Sequence, residues 1–179
     1  LLDFHLHGDT LLNRLLFDGE CRNRFQECFD GIDGAWSIEK NSGTFLFWLI
    51  KDNRRYALHE ADGTLSSEES GDSIRLEPET IAEGLRTKTL LPGGALVSTV
   101  ISLYYGLRCG GGFSQVNNLT AMKAAYKRWL ALIGAQEAEA WVQKLDTSFF
   151  CGEFVLATIS AAASSASDYR PATAIDFFL

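Results

Sequence analysis

The sequence predicts an α+β fold, a small antiparallel sheet from the N-terminal half packed against a mostly helical C-terminal half. Three observations lead there. Thr44 to Ile50, TFLFWLI, is apolar on both faces, as suits a central strand covered on both sides. From Leu91 to Leu132 the chain instead reads as an apolar helix, a triple glycine and an amphipathic helix. Strands early and helices late, without regular βαβ alternation, indicate α+β.

Taken in order, Leu1 to His7 alternates, with Leu2, Phe4 and Leu6 on one side and Asp3, His5 and His7 on the other. That period predicts a strand with one polar face. Gly8 breaks it, and Asp9 or Thr10 caps a helix over about 10–17. Gly19 separates this from a second helix over about 20–29, where Cys21 and Cys28 share a face as buried thiols. Asp30-Gly31 and Asp33-Gly34 are turn signals. Trp36 to Leu58 then reads as a hairpin or part of a meander, turning at Lys51-Asp52-Asn53-Arg54 and returning over Arg55 to His59. The polar stretch Glu60 to Asp72 is expected to be a loop, Ser73 to Leu76 a short edge strand, and Pro78 to Leu85 a short helix.

Pro92 stands where a helix can start, because its missing N–H would be unpaired there. The helix that follows is apolar nearly all round and ends at Gly106 or Gly110. Asn117, Asn118 and Thr120 offer caps to the next helix, whose stripe runs through Met122, Ala125 and Trp129. Gln136 to Leu145 is amphipathic, and the Ala- and Ser-rich Phe149 to Ser167 is expected to be a helix. Trp36, Trp48, Trp129 and Trp141 read as core residues.

The 179 residues suit a single α+β domain over 1–179, whether complete in itself or a segment of a larger protein. With 46% apolar and 22% charged residues, the composition is that of a globular chain. Sixteen basic against 23 acidic residues give −7, with no basic stripe, which speaks against nucleic acid. No stretch has the length and apolarity of a membrane span, so no membrane partner is expected. Cysteines 21, 28, 109 and 151 form neither CxxC nor zinc-finger spacing, and reduced thiols in a cytoplasmic protein are the simplest reading.

Two stretches could carry chemistry. In Arg108-Cys109-Gly110-Gly111-Gly112-Phe113-Ser114-Gln115, a glycine loop before a helix can present successive N–H groups to an anion. Cys109 beside a cationic Arg108 is a candidate nucleophile, and His7 or another histidine its base. The second stretch is the Gly8-Asp9-Thr10 turn. Together they give Cys109, His7 and Asp9 as candidate catalytic residues. Thr10, Gly110, Gly111, Gly112, Ser114, Gln115 and Asn117 are candidate substrate contacts.

The expectation is an enzyme or enzyme domain acting on a small molecule. Its alternative is a non-catalytic module that binds a ligand, a protein partner or the rest of a larger chain. No cofactor is identifiable, and GLRCGGGF has neither Walker nor GxGxxG spacing. Asp3 to Asp9 holds His5-Leu6-His7, which resembles the first-strand HxH of the metal-dependent amidohydrolases. That resemblance implies His5 and His7 as ligands on a strand. The rest departs from it: there is no downstream histidine set, and the chain is shorter than the ~200 residues of the smallest such barrels. No family is assigned on it, and no tightly bound transition metal is expected.

Overall fold

A computed structural model describes residues 2–109, 113–148, 158–160 and 169–171. The fold is α+β. It begins with three helices, α1 (Leu2–His7), α2 (Leu11–Phe17) and α3 (Gly19–Phe29). The strand expected over Leu1 to His7 is therefore corrected to a helix from Leu2 onward. Six residues are too few for alternation to decide between periods. The helix buries the adjacent pair His5 and Leu6, which a strand would send to opposite faces.

The two helices expected next are present. Thr10 caps α2 by accepting from the Asn13 N–H at 3.1 Å. Asp18 closes α2 and opens α3, its Oδ1 accepting from the Cys21 N–H at 2.8 Å. That bond holds the Asp18 carboxyl below its ordinary range. On α3, Cys21, Phe25, Cys28 and Phe29 turn into the core.

The sheets are small and antiparallel. β1 (Trp36–Ser37) pairs with β2 (Ser42–Gly43). β3 (Phe47–Lys51) lies between β4 (Arg54–Ala57) and, from far down the chain, β8 (Leu90–Pro92), so the central strand expected here is central. Asp52 and Asn53, both at positive φ, make the tight turn between β3 and β4.

β5 (His59–Ala61), β6 (Thr64–Ser66) and β7 (Ser73–Arg75) form a third sheet in that order. The loop expected over Glu60 to Asp72 is thus corrected to two strands and their connections. Its polar composition hid two anchors. Leu65 is fully buried, and Glu60 forms a buried ion pair with Arg22 of α3 at 2.9 Å.

Helix α4 (Pro78–Arg86) leads into β8. Pro92 ends that strand instead of opening a helix, a further correction. It lies opposite Phe47 in the ladder, and the next N–H, that of Gly93, donates to Leu46 O at 2.7 Å. α5 (Gly94–Ser98) then runs into a π-helical segment, Thr99–Tyr104, which ends at Gly106 with φ of 68°.

α6 (Phe113–Leu132) packs on α3, and α7 (Gln136–Gln143) packs on α6. Trp129 Nε1 donates to Cys21 O at 2.8 Å, and Arg128 donates to Cys28 O at 2.7 Å, fixing α6 to α3. Asn117, Asn118 and Thr120 lie inside α6 and do not cap it, since the helix starts at Phe113. Trp36 and Trp129 are core residues as expected. Trp48 is half-buried under the Arg55 guanidinium, and Trp141 is 49% exposed, which corrects those two readings.

Within the stretch expected to be one helix over Phe149 to Ser167, β9 (Thr158–Ser160) is a strand paired with β10 (Tyr169–Pro171). The remainder of that stretch lies outside the described residues. No helix among the described residues is long and apolar enough to cross a membrane.

Candidate functional site

The π-helical segment organises the site. Its wider turn lets the Tyr105 N–H donate to Val100 O at 3.1 Å and the Leu107 N–H to Ile101 O at 3.0 Å. Two hydroxyls on this segment, Thr99 Oγ1 and Ser102 Oγ, are buried without a hydrogen-bond partner. Buried polar groups are nearly always paired, so two in one short segment mark a departure from a purely structural solution.

Gly106 turns the chain back. A side chain there would bring Cβ to 2.8 Å from the Trp141 ring and 3.1 Å from Leu145, so glycine serves both the backbone and the approach of α7.

This approach encloses a cavity of about 200 Å³, built by the π-helix end and the turn that follows α7. Its lining includes the buried Ser102 and Leu119 together with Arg108, Cys109, Lys144 and Asp146. The turn after α7 is held in place. Lys123 donates to the carbonyls of Gln143 and Leu145, and Thr147 exchanges a hydrogen bond with Thr120 at 3.0 Å. Hydrogen bonds from Ser148 hold the Asp146 carboxyl below its ordinary range, with Arg108 and Lys123 adding to the effect. The residues lining the cavity thus include two cations, one carboxylate, a thiol and a serine.

A second polar cluster lies at the start of the same turn. His5, almost fully buried, bonds Thr10 Oγ1 through Nδ1 at 3.0 Å and the Tyr105 hydroxyl through Nε2 at 2.7 Å. The Tyr104 ring meets the imidazole edge-on at 5.0 Å. Asn13 fastens the end of α1 by donating to His5 O and Leu6 O. Burial pushes the His5 imidazole below its ordinary value.

Of the residues singled out by sequence, Cys109 lines the cavity. His7 and Asp9 are exposed at the far end of α1 and are not among the cavity's lining residues. The Thr10 hydroxyl is engaged by His5 and Asn13. Ser114, Gln115 and Asn117 are exposed on the first turns of α6. Gly110, Gly111 and Gly112 lie outside the described residues, as does Cys151.

The HxH pair does not share a face: His5 points into the protein and His7 out of it. No group of three or more His, Cys, Asp or Glu with metal-site geometry occurs among the described residues. Compared with known proteins, the chain matches no family model, no curated protein and no solved structure.

Sequence reasoning did not single out Ser102 or the Lys144–Thr147 turn, and it named Tyr105 nowhere. Ser102 sits in an apolar run where a serine reads as filler. The turn lies some 35 positions after Cys109 and joins it only through tertiary packing.

Proposed function

We propose that this chain is an enzyme or enzyme domain acting on a small anionic molecule, bound between Cys109 and the Lys144–Thr147 turn, with the Cys109 thiol as nucleophile. The observation that carries the reading is the cavity itself. A thiol, Arg108 and Lys144 line it together with Ser102, whose buried hydroxyl lacks a partner. Concave sites with a few convergent polar groups are where ligands bind. Arg108 and Lys144 against the single carboxylate of Asp146 leave the lining with an excess of positive charge in a chain of net −7, which favours a carboxylate or phosphate. Cys21, Cys28 and Cys109 are free thiols, which supports a cytoplasmic setting.

A second reading, a binding module without catalysis, is favoured by one observation: no histidine is among the residues lining the cavity, and His7 and Asp9 are exposed.

Thiol chemistry separates the outcomes. Iodoacetamide labelling of the native protein, mapped by peptide mass spectrometry, should modify Cys109 well before the buried Cys21 and Cys28. Inorganic phosphate or oxalate should slow it, and Lys144→Gln should weaken that protection. Nitrophenolate release from p-nitrophenyl acetate that continues beyond one equivalent per chain, the acyl-thiol being hydrolysed to acetate, and that is lost in Cys109→Ser supports the enzyme. Protection without such release supports the binding module. Cys109 labelling no faster than global unfolding overturns both.

A further inference from the structure

Helix α7 itself borders a different space. A cavity of about 240 Å³ lies between α2, the π-helical segment, α6 and α7. Leu11, Leu103, Ala138 and Val142 give it aliphatic walls. Tyr104, Tyr126 and Trp141 give it aromatic ones. None of these residues lines the Cys109 cavity.

The polar atoms here are few. Tyr126 is 1% exposed and stacks on Trp129 with ring centroids 5.3 Å apart. No hydrogen bond among the described residues reaches the hydroxyl of Tyr126 or of Tyr104. Burial pushes the Tyr126 phenol above its ordinary value, and Tyr104 adds to this, so the group stays a neutral donor throughout the physiological range. A neutral phenol that lines a mostly apolar, partly open space offers a hydrogen bond to an acceptor brought in from outside.

Size narrows the occupant. An apolar cavity of about 150 Å³ accommodates benzene, and one water takes roughly 30 Å³. A space of about 240 Å³ therefore suits one ring with a short substituent. The lining contains no charged side chain to meet a carboxylate or an ammonium group. Trp141 lines the space and is half exposed.

We propose that the cavity between α2, α6, α7 and the π-helical segment binds a neutral single-ring aromatic molecule carrying one hydrogen-bond acceptor, which the Tyr126 hydroxyl recognises. This site is separate from the Cys109 cavity and does not rest on the function proposed for it.

Acetophenone is a suitable probe. Ethylbenzene matches its shape without the acceptor, and benzoate carries a charge. Binding is read by ligand-observed saturation-transfer NMR and by tryptophan emission, with Trp141→Phe assigning the fluorescence change. Acetophenone should bind saturably and benzoate should not. Tyr126→Phe keeps the shape and removes the hydroxyl. It should weaken acetophenone about five- to tenfold and leave ethylbenzene unchanged. Ala138→Leu, which fills the space, should abolish both without lowering the unfolding temperature. Cys109→Ser should alter neither.

Three results would each overturn the proposal. One is the absence of saturable acetophenone binding up to its solubility. Another is acetophenone binding that survives both Tyr126→Phe and Ala138→Leu. The third is equal weakening of acetophenone and ethylbenzene by Tyr126→Phe, which would mark the space as a non-selective apolar void.

Discussion

Two buried threonines show how differently the two halves of this molecule are built. Thr44, just ahead of β3, accepts from the Leu58 N–H at 2.8 Å and donates to the Phe47 carbonyl. Thr99, at the head of the π-helical segment, is fully buried and has no partner for its hydroxyl. The contrast extends to their surroundings. Near the sheets even a buried charge is provided for: Glu60 Oε1 receives both Arg22 Nε and the Gly63 N–H, while Arg22 also reaches Leu16 O. The π-helical segment leaves Ser102 unpaired as well, and it is the segment that borders both cavities. Satisfied polar groups fix the scaffold in one arrangement. Of the three unsatisfied atoms among the described residues, Thr99 Oγ1 and Ser102 Oγ lie on the π-helical segment and Trp36 Nε1 lies in β1, and Ser102 is the one that lines either of the two cavities.

The comparison breaks most visibly at the buried ion pair. Glu60→Ala should destabilise the protein by about 3–5 kcal/mol in chemical denaturation, because it strands a buried guanidinium. Replacing both partners with apolar residues should recover most of that loss. A double variant as unstable as the single one would mean that the pair holds the third sheet in a way no packing can replace.

Next in size is a matched pair of isosteric changes. Thr44→Val should cost about 1–3 kcal/mol by leaving the Leu58 N–H unpaired. Thr99→Val should be neutral or stabilise by up to about 1 kcal/mol, because it removes a hydroxyl that nothing satisfies. Equal losses at the two positions, measured by the same denaturant series, would erase the distinction between the halves.

The smallest effect is a dependence on pH. His5 titrates below its ordinary value of 6.5 because it is buried, so between that lowered value and 6.5 the unfolded chain binds more protons than the folded one. Stability is therefore fully present above about pH 6.5 and declines as the pH falls through the window beneath it. Thermal unfolding of His5→Gln should show a shallower acid decline than the parent protein. Parallel curves would show that folding leaves the proton affinity of His5 unchanged.

Much of the scaffold was legible because pattern and environment agree there. The run from Thr44 to Ile50 announces a strand covered on both faces, and Asp18, Gly19 and the Cys21–Phe29 stripe announce a helix boundary and its buried side. The failures have local causes. In α1 the deciding contacts of His5, to Thr10 and Tyr105, are tertiary, and one of them spans a hundred positions. In the third sheet, short strands of polar residues are held by one leucine and one ion pair, which no window average detects. For the candidate site, the glycines drew attention to Cys109, but Lys144 to Thr147, which line the same cavity, belong to a turn with no signal of its own. A π-turn is equally silent, since its apolar residues fit an α-helical stripe nearly as well.

That silent turn makes the helix a phase-setting device. A π-helix closes its hydrogen bonds one residue later than an α-helix does, so the segment from Thr99 to Tyr104 carries the equivalent of one inserted residue. At 3.6 residues per turn, closing the same residues as an α-helix, with none removed, would rotate everything downstream by about 100°. Ser102 and Leu103, which now wall different cavities, would exchange roles, and Gly106 would no longer turn toward Trp141. One residue of helical phase therefore sets where both cavities lie.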